Sequence, residues 1–150
     1  MRTLIQRVTH AEVVVDGKEI SRIEQGLMVL VGIEEADTTN DIEYLATKLV
    51  KLRIFDDENG VMNLSVTDVA GDVMVVSQFT LMAATQKGNR PSYIRAAKPD
   101  ISKPLYEAFC TKVESLLGKS VAKGIFGADM KVTLLNNGPV TIWMDSKNKE

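Results

Sequence analysis

The chain has 150 residues, enough for one domain that buries a core of its own. Hydrophobic residues make up 45% and charged residues 25%, as in an ordinary soluble globule, and the formal charge of 18 − 20 = −2 argues against a generally basic nucleic-acid binder while leaving local patches open. A single cysteine, Cys110, forbids an intramolecular disulfide and suits a reducing compartment; one cysteine with one histidine also excludes a Cys/His zinc cluster of the usual spacing.

The chain opens with LIQRVTHAEVVV, Leu4 to Val15, rich in β-branched residues and partly alternating, hence a strand. No signal-peptide pattern precedes it. Asp16-Gly17 predicts a hairpin, with KEISRIE as the returning strand. Gly26 leads into LMVLVGI, a continuous apolar run that reads as a central strand and is far too short to span a bilayer. Glu34 to Asn40 is an acidic loop. Ile42, Leu45, Leu49 and Leu52 recur at helical spacing, with Thr39 or Asn40 as the cap. Asp56 to Gly60 is a turn, VMNLSV a short strand and VMVVSQF a second central strand.

Leu81 to Pro99 reads as a long irregular loop, which in a compact domain is usually functional or hides an element. A second helix follows, with Ser102 as cap, Pro104 in its first turn, and Leu105, Phe109, Val113, Leu116 and Leu117 on its apolar face. Gly118 stops it. DMKVTLL is then a strand, NNGP a turn, VTIWM the last strand, and residues 146–150 a frayed tail. Cys110, Phe55 and Trp143 are expected in the core. The whole reads as one α/β domain over residues 1–150: a strongly curved mixed sheet, partly closed like a barrel, covered on one side by two main helices.

Three stretches carry polar chemistry. Ser77-Gln78-Phe79-Thr80 ends a buried strand; alternation would face Ser77 and Phe79 one way, Gln78 and Thr80 the other. Such groups either line the rim of a pocket or merely bond the adjoining loop. The surroundings are not G-x-S-x-G, and the one imidazole, His10, lies in the first strand, so a Ser-His hydrolase fits poorly. Without a base these groups suit positioning and oxyanion stabilisation of an already labile ester. The second stretch, Gln86 to Lys98, carries Lys87, Arg90, Arg95 and Lys98 with no acidic residue, and so is either a solvated loop or a phosphate contact. The third, Asn136 to Trp143, contains Gly138-Pro139, a rigid unit suited to presenting backbone carbonyls at close range.

Together, LIQRV with Arg7, SQFTL at 77–81, GNRP at 88–91, FGADM at 126–130 and NNGPVT at 136–141 resemble the D-aminoacyl-tRNA deacylases, from the first residues to about Met144. The resemblance implies a cytoplasmic hydrolase that cleaves the ester between a D-amino acid and the 3′-terminal ribose of tRNA, a chirality proofreader in translation. It implies a homodimer with active sites at the subunit interface, a tRNA partner, and no cofactor, metal or membrane. In that family the Gly-Pro peptide is cis and enters the other subunit's site. Carried over, Ser77, Gln78, Phe79 and Thr80 surround the ester, Gly138 and Pro139 reject the L form, and Arg7 holds their loop. Phe126 and Met130 take the terminal adenosine, and Lys87, Arg90, Arg95 and Lys98 lie near the tRNA backbone. Glycine, lacking a side chain, should escape the chiral filter. Two accounts of the chemistry stay open: Thr80 as nucleophile, or the substrate's 2′-OH with backbone amides near Phe79 and Thr80. Two other functions also stay open on the residues alone: a module that grips RNA ends without chemistry, and a Ser/Thr esterase of small molecules.

Overall fold

In the computed structural model, which describes residues 1–150, the chain opens with a long strand, β1 (Arg2–Val15), and turns back into β2 (Lys18–Ile23). Asp16 and Gly17 both have positive φ, 50° and 74°, which is the hairpin turn whose twist matches the flanking strands. Then follow β3 (Gly26–Gly32), α1 (Thr39–Lys51), β4 (Phe55–Asp56), β5 (Met62–Leu64) and β6 (Asp72–Ser77). A short 3-10 turn (Phe79–Met82), α2 (Pro99–Leu117), β7 (Ala122–Lys123) and β8 (Lys131–Asp145) complete the order.

The main sheet runs β2-β1-β3-β6-β7, with β8 also on β1. β1 is antiparallel to β2, β3 and β8, whereas β3–β6 and β6–β7 are parallel, so the sheet is mixed. β1 can serve three partners because it is long. Residues 2–8 pair with β3, residues 11–15 with β2, and β8 follows both halves. The two ends of the path come back together where the Ser21 hydroxyl donates to the Lys123 carbonyl at 2.8 Å, which nearly closes the barrel.

Alternation along the strands makes two cores. Leu27, Val29, Val31, Val73 and Val75 face the two helices, where they meet Leu45, Leu49, Tyr106, Phe109 and Val113. Met28, Met74 and Val76 point the other way, into the barrel, with Val8, Ala11 and Val13. Cys110 and Phe55 are buried as expected; Trp143 instead lies on the outer face of β8, 47% exposed.

The structure corrects several sequence expectations. The α1 cap is Thr38, not Thr39 or Asn40: its hydroxyl accepts from Asn40 N–H while Asp41 returns a bond to the Thr38 N–H at 2.8 Å, a capping box. α2 starts earlier than Ser102, with Pro99 in its first turn; Ser102 bonds back to the Lys98 carbonyl at 3.0 Å, and Pro104 lies inside the helix. The strand pattern of SQFT stops at Ser77, and after Gln78 the chain enters the 3-10 turn at Phe79. Residues 81–99 are not structureless, because Ala84 and Ser92 exchange backbone bonds of 2.8 and 2.9 Å. NNGP does not separate two strands but interrupts one, β8. The start of the tail is tied down: Ser146 is 7% exposed and donates to Asp41, and Lys147 reaches Asp41 at 2.8 Å.

Candidate active site

β6 delivers Ser77 to the end of the sheet, and the backbone then folds sharply. Gln78 N–H donates to the Val31 carbonyl at 2.7 Å, and the 3-10 turn starts at the next residue. The turn lies flat on β3 because residue 32 is glycine: a Cβ there would stand 2.8 Å from the Leu81 Cβ and 3.0 Å from the Gln78 carbonyl oxygen. Arg2 fixes the far side by donating to the Leu81 carbonyl at 2.9 Å, while its Nε pairs with Asp145.

The fold places Ser77, Gln78 and Phe79 along one wall of a cavity of about 510 Å³ and Phe126 and Met130 along the other. This brings together residues about fifty positions apart in the chain. It also corrects the alternation expected of SQFT, since three successive residues line one space. Phe126 is braced by Tyr106, with ring centroids 5.9 Å apart. The Tyr106 hydroxyl donates to the Val75 carbonyl at 2.8 Å, and burial pushes its pKa well above the usual range. Tyr106 is therefore a neutral support and not an acid at physiological pH. Burial likewise pushes the Cys110 thiol up to about 12, which makes it inert as a nucleophile. Met130 reaches the cavity over Gly124, where a Cβ would stand 2.5 Å from its sulfur.

Thr80 does not line the cavity. Its hydroxyl oxygen accepts a 2.6 Å bond from the Gln78 side-chain amide, and no histidine or carboxylate bonds to it. The N–H groups of Phe79 and Thr80 stand at the start of the turn, where no preceding turn offers them an intrahelical acceptor. His10 sits on β1 opposite Leu135, away from this wall. No group of three or more His, Cys, Asp or Glu side chains is placed to hold a metal ion.

Gly138, Pro139 and Arg7 form a separate feature. Between the pairs Gln6–Thr141 and Val8–Asn136, a single β1 residue, Arg7, faces residues 137–140 of β8, so those residues bulge out. Arg7 is buried and donates to the Asn137 carbonyl at 2.9 Å, the Ile54 carbonyl at 2.7 Å and Asp56 at 3.2 Å. Asn136 closes the bulge from inside: its Oδ1 accepts from Val140 N–H and its Nδ2 donates to Thr141 Oγ1, both at 2.8 Å. The Gly138-Pro139 peptide is cis, and Gly138 has φ 140°, a conformation for which only glycine is suited. Both residues are exposed, and neither lines the cavity of its own chain.

The basic loop borders the cavity on the other flank. Lys87 and Arg90 are exposed on its tip without an ion partner, whereas Arg95 pairs with Glu34 at 2.9 Å. Lys98, also exposed, precedes α2, and the loop's return through Ala96 and Ala97 lines the cavity. Sequence reasoning missed these alanines, Ser102 and Asp129 as lining residues. Small side chains that merely shape a wall carry no chemical signature, and only Asp129 stood inside a quoted motif.

The family described as D-Tyr-tRNA(Tyr) deacylase matches residues 4–145. A D-aminoacyl-tRNA deacylase of Parabacteroides distasonis is 64% identical over 150 residues, all of both chains. One from Bacteroides fragilis is 63% identical and one from Flavobacterium johnsoniae also 63%, again over the full length of each. Among solved structures, a c-Myc DNA unwinding element binding protein superposes with a TM-score of 0.92 at 37% identity, covering 97% of this chain and 98% of that one. A probable eukaryotic D-amino acid tRNA deacylase shares the fold, with a TM-score of 0.82 at 18% identity over 95% of this chain and 97% of that one.

Proposed function

Because the chain belongs to the D-aminoacyl-tRNA deacylase family, and is thus a hydrolase of carboxylic ester bonds, we propose that the cavity between SQFT and FGADM holds the aminoacylated 3′-terminal nucleotide of tRNA. The observation that carries this reading is the convergence of Ser77, Gln78, Phe79, Phe126 and Met130 on one space of about 510 Å³, the size of a drug-like ligand. Phe126 and Met130 supply an apolar wall for the terminal adenine. Ser77 and Gln78 flank the ester, Thr80 braces the Gln78 amide from outside the cavity, and the N–H groups of Phe79 and Thr80 that open the 3-10 turn stabilise the oxyanion.

No protein base stands beside Thr80, so the proton chemistry falls to the substrate's own 2′-OH or to a water it orients. Positioning a hydroxyl next to an activated ester contributes several kcal/mol to lowering the barrier, about 7–11 at best. Chirality is read elsewhere. D and L forms carry identical groups, so an apolar pocket separates them poorly. In our reading the carbonyls of Gly138-Pro139 bind the ammonium of the D form and leave the L form no acceptable arrangement. Glycyl-tRNA then escapes rejection and is cleaved.

The bulge that bears Gly138-Pro139 is exposed and outside its own cavity, which supports its serving a second copy in a homodimer. The free outer edge of the 15-residue β8 supports the same assembly, since long bare edges are normally covered. Arg7 would then hold the bulge for the partner. The loop cations Lys87, Arg90, Arg95 and Lys98 meet the tRNA backbone, and the protein works in the cytoplasm as a proofreader of translation. No helix is long and apolar enough to cross a membrane.

Mixed assemblies test the shared site. Chains carrying Gly138→Val keep the cavity and lose the bulge; chains carrying Phe126→Ala do the reverse. Each variant alone is expected to lose D-tyrosyl-tRNA turnover. Co-refolded at equal amounts, they should recover about a quarter of the wild-type sites if pairing is random in a two-fold dimer. No recovery would contradict a site shared between copies, and full activity of Gly138→Val alone would remove the bulge from the site.

A further inference from the structure

At the mouth of the cavity stands an aromatic pair whose exposure the folding of the chain does not explain. The rings of Phe79 and Tyr93 meet edge to face, with centroids 5.1 Å apart. Phe79 is 57% exposed, Tyr93 39%, and the neighbouring Ile94 92%. Contiguous bare apolar groups of this kind mark binding surfaces more often than accidents. Tyr93 is not on a loose tip. The Ala84–Ser92 backbone pair precedes it and the Arg95–Glu34 ion pair follows it.

The segment that bears this pair carries one sign of charge, with Glu34 answering Arg95 alone and Asp129 lying on the cavity lining. Residues 73–99 contain no Asp or Glu, and Lys87 and Arg90 project from the same loop with no ion partner. Aromatic faces beside unpaired cations are the means by which proteins hold single-stranded nucleic acid: the rings stack on bases and the cations follow the phosphates. Continuity decides where the strand would run. Phe79 belongs both to the cavity wall and to the exposed pair, so a strand leaving the cavity passes Tyr93 next.

We infer that Tyr93, backed by Phe79, is the stacking platform for the base immediately 5′ of the terminal nucleotide, with Lys87 and Arg90 on the adjoining phosphates. This rests on the terminal nucleotide occupying the cavity. It adds a second nucleotide subsite, one that a single aminoacylated nucleoside cannot reach. The subsite therefore belongs to substrate binding and not to the reacting atoms.

The test compares two substrates, D-tyrosyl-tRNA and the nucleoside ester D-tyrosyl-adenosine, with wild type, Tyr93→Ala and Tyr93→Phe. Tyr93→Ala should lower kcat/KM on the tRNA about tenfold more than on the nucleoside ester, chiefly through KM, and Tyr93→Phe should retain wild-type values. An equal fall on both substrates, or none on the tRNA, would overturn the platform. So would loss of the dimer in Tyr93→Ala by light scattering, which would make the patch a contact between copies. A second measurement needs no variant. Uncharged tRNA carrying 2-aminopurine at the penultimate position should lose fluorescence on binding wild-type protein, and unchanged fluorescence on a bound complex would contradict the stack. If wild type cleaves the nucleoside ester yet shows no such quenching, the cavity reading stands and the platform falls. If it cleaves neither substrate, the cavity reading itself falls and takes the platform with it.

Discussion

Thr80 accepts a 2.6 Å hydrogen bond from Gln78, and no histidine or carboxylate bonds to its hydroxyl. That geometry suits a hydroxyl that orients a neighbour and does not suit a nucleophile. Thr80→Ala is expected to lower kcat on D-tyrosyl-tRNA by about ten- to a hundredfold, the size of a positioning loss, where removal of a true nucleophile costs about 10⁶. Single-turnover rates would check it, with 2′-deoxy terminal ribose as the counterpart that should lose far more. Arg7 works by a different logic. Its truncation to Ala would leave the buried Ile54 carbonyl without its donor, at a cost of about 1–3 kcal/mol, and would release the Asn137 carbonyl of the exposed bulge to water. Thermal unfolding should show that loss, and the release assay should show weakened preference for D over L esters as the bulge loosens. Ser77, Gln78, Phe79, Phe126 and Met130 were legible as site candidates through their motifs. Ala96, Ala97 and Ser102 were not, because a wall of small residues can be recognised only when the chain is folded.

At the scale of elements, the strands were readable wherever β-branched residues ran together, and α1 and α2 wherever apolar positions kept helical spacing. Three features escaped for physical reasons. β8 reads as two strands because Asn-Gly-Pro ordinarily makes a turn; only the buried Arg7 across the ladder turns those residues into a bulge within one strand. β7 is two residues long, too short for any pattern. The 3-10 turn after Ser77 depends on Gly32 of a different strand, which local reading cannot see. This last dependence makes a prediction. Gly32→Ala should push the Gln78–Leu81 turn off β3 and cut kcat more than it cuts stability, as a crystal structure and steady-state kinetics would show together. Gly124→Ala should instead drive Met130 into the cavity and raise KM, because the sulfur has no room to stay where it is.

For the whole molecule, the mixed, nearly closed sheet follows from β1 having the length to pair with three strands. The end of the chain contributes as well, through the cluster of Asp41, Ser146 and Lys147 beside the buried pair of Asp37 and the Met1 amino group. Burial alone would raise the Asp41 carboxyl, but hydrogen bonds from Lys147, Ser146 and Thr38 outweigh it and hold the pKa well below the ordinary 3.8. A carboxyl lowered in this way stabilises the fold fully above 3.8, and the contribution is lost as pH falls from there through the folded value. Asp41→Asn should thus lower stability at neutral pH by about 1–3 kcal/mol. Its difference from wild type should shrink only below about pH 4, measured by denaturant unfolding across that range.

The claim at the centre is that this cavity cleaves D-aminoacyl esters of tRNA and is closed to the L form by Gly138-Pro139 of a second copy. The most direct measurement is the rate of ester release from matched D-tyrosyl-, L-tyrosyl- and glycyl-tRNA at equal enzyme. The account predicts rapid release from the D ester, measurable release from the glycyl ester, and an L ester that decays no faster than it does without enzyme. Equal release of the D and L esters would contradict it.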